Sequence, residues 1–242
     1  GKNMPLKIIM LSLRAIYNNK MRSFLTMLGI IIGVMAVVIL VSITQNATSG
    51  ITDSIASMGS DQITASITGE DVSVSRDSIE TLNSYGAIDK TAPVITTSQT
   101  VKHNGETGSY SIVGVTNDYF DVQDIAIQSG RLIADSDIEW TTNVAVIGTE
   151  AATDLFGTWD AVGGTITIGE RNYKVIGVLE EQGSSLVGSD DSKILIPYTT
   201  AERITGQKSV STFYIKASSS NSVNVAINMV ESFLLQTTRD ED

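Results

Sequence analysis

Twenty consecutive residues, 24–43, read FLTMLGIIIGVMAVVILVSI without a single charge. As an α-helix this stretch is roughly 30 Å long, the thickness of a bilayer's hydrocarbon core. Such a run can neither stay in water nor form an ordinary loop, so the chain is expected to be anchored in a membrane. The flanking charges give the direction. Lys2, Lys7, Arg14, Lys20 and Arg22 precede the run with no acidic residue among them, and positive flanks stay in the cytoplasm. The remainder is therefore expected outside. Signal-peptide apolar regions run about 7–15 residues and end in a small-x-small site, whereas the segment after residue 43 is TQNAT, so cleavage is the poorer reading. Asn46-Ala47-Thr48 fits a glycosylation sequon, a match frequent by chance.

The external part is acidic. Five of the 16 basic residues lie before the apolar run, leaving 11 against all 27 acidic ones. An acidic surface repels nucleic acid and anionic headgroups, so nucleic acid is excluded as a partner and the domain should project away from the lipid. With no cysteine in the chain, disulfides, thiolate nucleophiles and thiolate zinc sites are excluded, which suits a bacterial extracytoplasmic domain held by its core alone.

Before the run, Leu6, Ile9, Met10, Leu13, Ile16 and Tyr17 recur at three- and four-residue spacing, with Lys7, Arg14 and Lys20 on the positions left over. That spacing predicts an amphipathic helix at the cytoplasmic lipid surface; a plain orienting basic flank is the alternative. Inside the run, Gly29 and Gly33 form GxxxG, which lets a second membrane helix approach closely. Beyond it, Ala47, Ile51, Ile55 and Met58 keep a four-residue spacing, predicting a helical stalk over residues 45–58.

From Gly59 onward the pattern is α+β. A strand is expected at 62–67, a short helix begun near Ser75 at 77–83, and strands at 92–102 and 109–116 joined by a turn at 103–108. A second block carries a strand at 143–147, a helix at 150–156 stopped by Gly157, a hairpin of 165–168 with 173–179, and a strand at 193–197. The third block, a strand at 210–217 and a helix at 222–236 with Val223, Ala226, Ile227, Val230, Phe233 and Leu234 on one face, resumes the rhythm of the first. The segments are thus residues 1–22 (basic, cytoplasmic), 23–44 (membrane helix), 45–58 (stalk), 59–116 (first half of a split β-α-β subdomain), 117–205 (β-rich insertion) and 206–242 (second half). The Gly/Ser-rich stretch 180–191 reads as a mobile surface loop, and Ser184, Ser185, Leu186, Val187, Gly188 and Ser189 are candidates for contact with a partner protein.

Catalytic patterns are missing. No GxxxxGK[ST] occurs, so ATP binding in the Walker manner is excluded for this chain, and no G-x-S-x-G is present. The single histidine, His103, falls in an expected turn, and the acidic clusters at 180–181, 190–191 and 240–242 lack EF-hand spacing. Neither a cofactor nor a metal is expected, and the chain does not read as an enzyme.

Leu13-Arg14-Ala15 followed by NKMRSFLTMLGIIIGV from Asn19 closely resembles the first membrane helix of MacB-type ABC transporter permeases. Gly59-Ser60-Asp61 with Ile63, Gly114-Val115 with Asp118-Tyr119-Phe120, Gly130-Arg131, Val144–Gly148, Leu155-Phe156-Gly157, Val175–Leu179 and Ile196-Pro197 resemble, in order, that family's extracytoplasmic core domain. The resemblance implies a porter-like α/β subdomain interrupted by a β-rich one. It further implies a permease subunit of the bacterial plasma membrane that exports peptides, antibiotics or other amphiphiles. As partners it implies an ABC ATPase on a separate chain, a second permease copy in a homodimer or pseudo-dimer, membrane lipid, and an adaptor (membrane-fusion) protein. ATP-driven motion would pass along the first helix, which is called mechanotransmission, and the Leu6–Tyr17 helix would lie where the ATPase docks. Three further membrane helices would follow residue 242, and Gly1-Lys2-Asn3 reads as a vector remnant, leaving four native positives. Alternatives are a lipoprotein-releasing or cell-division permease of the same superfamily, or a single-span ligand-binding sensor.

Overall fold

The computed structural model describes residues 4–52, 55–57, 61–68, 73–182 and 190–239. Two compact units divide it, Gly1–Gly50 and Ile51–Asp242. The first is helical. Helix α1 (Met4–Asn18) breaks at Asn19, and α2 (Lys20–Thr52) follows as 33 helical residues, roughly 50 Å at 1.5 Å each. Within α2 the segment Lys20–Leu40 is long and apolar enough to cross a membrane.

Helix α2 ends at Thr52, short of the expected limit at 58. Ile55–Ser57 is instead strand β1, with Ile55 opposite Ala65 and Ser57 opposite Ile63 of strand β2 (Gln62–Ser66). The four-residue spacing that suggested a longer helix is overridden by sheet pairing, which suits a β-branched residue such as Ile55.

In the second unit, helix α3 (Arg76–Glu80) starts where the sequence predicts: the Ser75 hydroxyl caps it by accepting from Ser78 N–H at 3.2 Å. Strand β3 (Ile88–His103) turns into β4 (Glu106–Val115) through two residues only, Asn104 and Gly105, with φ of 45° and 91°. These are the angles of a type I′ turn, so the hairpin is tighter than the six-residue turn expected. Helices α4 (Asp118–Val122) and α5 (Asp135–Glu139) flank strand β5 (Ile127–Gly130). Strand β6 (Val144–Ile147) leads into α6 (Thr149–Phe156), which stops at Gly157 with φ 71°. Strands β7 (Thr165–Ile168) and β8 (Arg171–Leu179) form a hairpin; then come β9 (Ile194–Pro197), α7 (Tyr198–Thr205), β10 (Thr212–Ala217) and α8 (Val223–Arg239).

Among the described residues the strands make one sheet in the order β1-β2-β10-β3-β4-β9-β6-β8-β5, with β7 bridging β3 and β8. The expected split unit is present, because β10 lies between β2 and β3, antiparallel to both. Strand β3 changes partner along its length: residues up to Val94 pair with β10, and Ile95 onward with β4. The central strands β6 and β9, with the ends of β4 and β8 that pair with them, are buried on both faces, and alternate residues serve different cores. Ile112, Ile147, Val178 and Ile196 join the core beneath α3, α6 and α8, while Val113, Val146, Leu179 and Leu195 join the core beneath α4 and α5. On α8, Ala226, Val230 and Leu234 are buried, the face the sequence predicts.

Candidate functional site

Residues 24–40 expose their side chains to the surroundings along the whole stretch, so none of these side chains is buried among the described residues. A Cβ added at Gly29 or Gly33 would meet nothing within 4 Å. Four residues apart, the two glycines fall on one side of α2, a flat strip with room for another backbone. On α1, Lys7 and Arg14 are exposed and two turns apart, hence on one face. Lys20 sits 4.3 Å from the ring centre of Tyr17, a cation–π contact across the break between the helices. Arg22 is exposed, and its carbonyl accepts from the Thr26 hydroxyl at 2.8 Å.

The candidate contact loop, Ser184, Ser185, Leu186, Val187, Gly188 and Ser189, lies outside the described residues. Its flanks do not, and at 190–191 they correct the expectation that residues 180–191 form a mobile surface loop. Asp190 and Asp191 are both buried. Lys193 Nζ stands 2.7 Å from Asp190, and the Tyr119 hydroxyl of α4 reaches both carboxylate oxygens at 3.4 Å. Burial, with the Asp190 charge beside it, pushes the Tyr119 phenol well above its usual range, so it stays a donor. Asp191 accepts from the Gln182 backbone N–H at 2.9 Å, which ties the two flanks together. Gly148, which opens α6, fits beneath them: a Cβ there would lie 2.2 Å from the Asp191 carbonyl oxygen and 2.3 Å from that of Asp190. Sequence reading saw the acidic pair but not its burial, since Tyr119 lies 71 residues away.

A second anchor holds β5 to α5. The Arg131 guanidinium donates two bonds to Asp137, at 2.7 and 3.1 Å, and Asp137 also accepts from Ala134 N–H at 2.9 Å. Arg131 therefore holds the Asp137 carboxyl below the usual carboxylate range, despite its burial. Gly130 and Gly177 let the backbones meet here: an added Cβ would come within 2.1 Å of the Ile176 carbonyl oxygen at Gly130 and 2.4 Å of that of Arg131 at Gly177.

His103 stacks on Phe156 with ring centres 3.8 Å apart, and its Nδ1 lies 2.8 Å from the Thr165 carbonyl oxygen. A carbonyl only accepts, so Nδ1 carries the proton, and the ring joins the β3–β4 hairpin to β7. Among the described residues no group of three His, Cys, Asp or Glu side chains is gathered as for a metal ion. The arrangement is one of anchors and packing surfaces.

Comparisons with known proteins agree with this picture. The family model described as the MacB-like periplasmic core domain matches residues 23–233. A macrolide export ATP-binding/permease protein MacB of Acinetobacter baylyi is 30% identical over 228 residues, 89% of this chain and 34% of that protein. One from Paracoccus denitrificans, MacB 1/2, is 32% identical over 247 residues, 97% and 36% of the respective chains. The chain thus spans about a third of the length of these relatives. Among solved structures, the periplasmic region of MacB from Actinobacillus actinomycetemcomitans superposes with a TM-score of 0.60 at 19% identity, covering 77% of this chain and 86% of that one. The extracellular domain of the ABC-type transporter YknZ gives 0.57 at 20% identity, over 69% and 87%. At such identities the likeness is one of fold. The long sequence match carries more, and with it this chain belongs to the MacB-like periplasmic core domain family.

Proposed function

We propose that this chain is part of the permease subunit of a MacB-type ABC exporter, with α1 in the cytoplasm, α2 across the plasma membrane and the sheet-bearing unit outside. A partner ATPase, bound on the cytoplasmic side near α1, supplies the motion, and α2 transmits it. A second permease copy packs against the Gly29–Gly33 strip, and lipid covers the rest of the exposed apolar surface. The residues beyond the membrane divide into a porter-like part, 59–116 with 206–242, and an insertion, 117–205. The loop at 184–189 offers a contact for an adaptor protein. The cargo is a peptide, an antibiotic or another amphiphile.

The observation that supports this reading most is the unbroken course of α2. It runs from the basic flank through the apolar segment to Thr52, and three residues on, at Ile55, the chain enters the sheet. A helix is stiff along its axis because every turn is hydrogen-bonded, so displacement at one end is felt at the other. The names of the relatives, with both ATP-binding and permease functions, support the ATPase coupling.

The test uses the full permease reconstituted with its ATPase in proteoliposomes. Inserting four glycines after residue 48 should leave ATP hydrolysis running while transport stops. Transport surviving at the wild-type rate would remove α2 as the transmitting element.

A further inference from the structure

The charges of the two units are sharply divided. From Met4 to Thr52 the chain carries Lys7, Arg14, Lys20 and Arg22 and no carboxylate, while all 27 acidic residues lie beyond Thr52. All four basic side chains are exposed, and none of them enters an ion pair among the described residues. Four cations thus stand together with nothing in the chain to offset them.

Helix α1 sorts its share of these charges from its apolar side chains. Lys7 and Arg14 lie about 20° apart around the helix axis, whereas Ile9 lies about 160° from Lys7 and about 140° from Arg14. Ile8, Ile9, Met10, Leu11 and Tyr17 each keep more than half of their surface open. That much exposed apolar surface calls for a cover, and a helix with one basic and one apolar side is the kind that lies in a lipid interface. At the end of α1, Tyr17 and Lys20 stand 4.3 Å apart in cation–π contact. An aromatic ring with a polar tip beside an ammonium group is what the headgroup zone accommodates.

We propose that α1 docks on acidic phospholipids, its Ile9 side among the upper acyl chains and its Lys7 and Arg14 stems reaching back to the headgroup phosphates. This deepens the exporter reading and rests on its claim that α2 crosses the bilayer. Charge complementarity selects the lipid. A neutral bilayer covers the apolar side equally well but leaves the cations without counter-charge, whereas beside an anionic surface each Lys or Arg favours docking about fivefold. The long flexible stems of Lys and Arg make the reach to the phosphate level possible from the far side of the helix.

The probe is a vesicle of phosphatidylcholine, with or without phosphatidylglycerol, holding the chain with a polarity-sensitive dye on Ile9→Cys; residues 1–242 contain no other thiol. Three labelled chains are compared: one with native charges, one with Lys7→Gln and Arg14→Gln, and one with Lys102→Gln and Lys174→Gln, two exposed lysines of the second unit. Gln matches Lys and Arg in helix propensity, so the first pair removes charge without unfolding α1. With native charges, phosphatidylglycerol should raise the ratio of docked to undocked dye by about tenfold or more, and the Lys102/Lys174 pair should respond alike. The Lys7/Arg14 pair should lose most of that gain, and concentrated salt should abolish it, whereas inorganic phosphate at matched ionic strength should not displace α1. Equal signals with and without phosphatidylglycerol would overturn the proposal and leave a protein as the cover of α1. Equal losses in the two pairs, docking that survives concentrated salt, or displacement by inorganic phosphate would overturn it too. Extraction of the chain from the vesicles by alkaline carbonate would overturn the exporter reading with it, which tells the two failures apart.

Discussion

Arg131 grips Asp137 through two parallel hydrogen bonds, at 2.7 and 3.1 Å, while half of the arginine side chain remains in water and the carboxylate is almost wholly buried. The asymmetry determines what breaks when either partner is lost.

Replacing Arg131 by Ala leaves a buried carboxylate with only the Ala134 N–H and the Thr142 hydroxyl as donors. Exposure of the guanidinium to solvent discounts the loss, and the expected cost is about 2 kcal/mol in urea unfolding. The pH dependence follows from the lowered folded-state value of Asp137. Its contribution is complete above the unfolded carboxylate range, near pH 4, and fades as pH falls through the folded value. In Arg131→Ala the fall in stability on acidification should be correspondingly shallower.

At Gly148 the prediction concerns space. A methyl group there collides with the backbone carbonyls of Asp190 and Asp191, neither of which is a flexible end that can swing away. Gly148→Ala should cost about 1–3 kcal/mol by overpacking, and Gly157→Ala less, because Gly157 has open space and only its positive φ to lose. Equal melting temperatures for Gly148→Ala and the wild type would show that the close approach is not maintained in solution.

Asp191→Ala removes the acceptor of the Gln182 N–H, and Asp190→Ala leaves the Lys193 ammonium and the Tyr119 hydroxyl without their carboxylate. Hydrogen exchange should quicken at the Gln182 amide in the first variant, while the second should lose about 2–3 kcal/mol of stability. Protection at Gln182 that survives Asp191→Ala would contradict the tie between the flanks.

For the membrane segment, Gly29→Leu with Gly33→Leu should weaken association of copies in lipid by roughly tenfold, on the order of 1–2 kcal/mol, without changing insertion. Energy transfer between labelled copies in vesicles measures this directly. An unaltered association constant would move the packing surface to another side of α2.

Legibility in the sequence followed the range of the signals. Local ones were read: the Ser75 cap, the Gly157 stop, the apolar run and the face of α8 all lie within a few residues of what they specify. The short helices α4, α5 and α7 escaped, because Asn117, Ala134 and Pro197 at their starts give no side-chain cap and each helix is settled by packing. The end of α2 at Thr52 and the buried state of Asp190 depended on partners further along the chain, β2 in one case and Tyr119 in the other. Periodicity and composition carry no record of such pairings. The landmarks Gly130-Arg131, Gly148 and Gly177, met first as a resemblance, gain a physical reason only when the backbones they allow to meet are seen.

The placement of α1 in the cytoplasm and of the acidic unit outside is measurable residue by residue, because residues 1–242 contain no cysteine. Lys7→Cys and Trp140→Cys place single thiols at exposed positions on α1 and just after α5. In cells with an intact plasma membrane, a membrane-impermeant maleimide should modify position 140 and leave position 7 untouched until the membrane is opened. Labelling of position 7 with protection of position 140 would reverse the topology and end the export proposal.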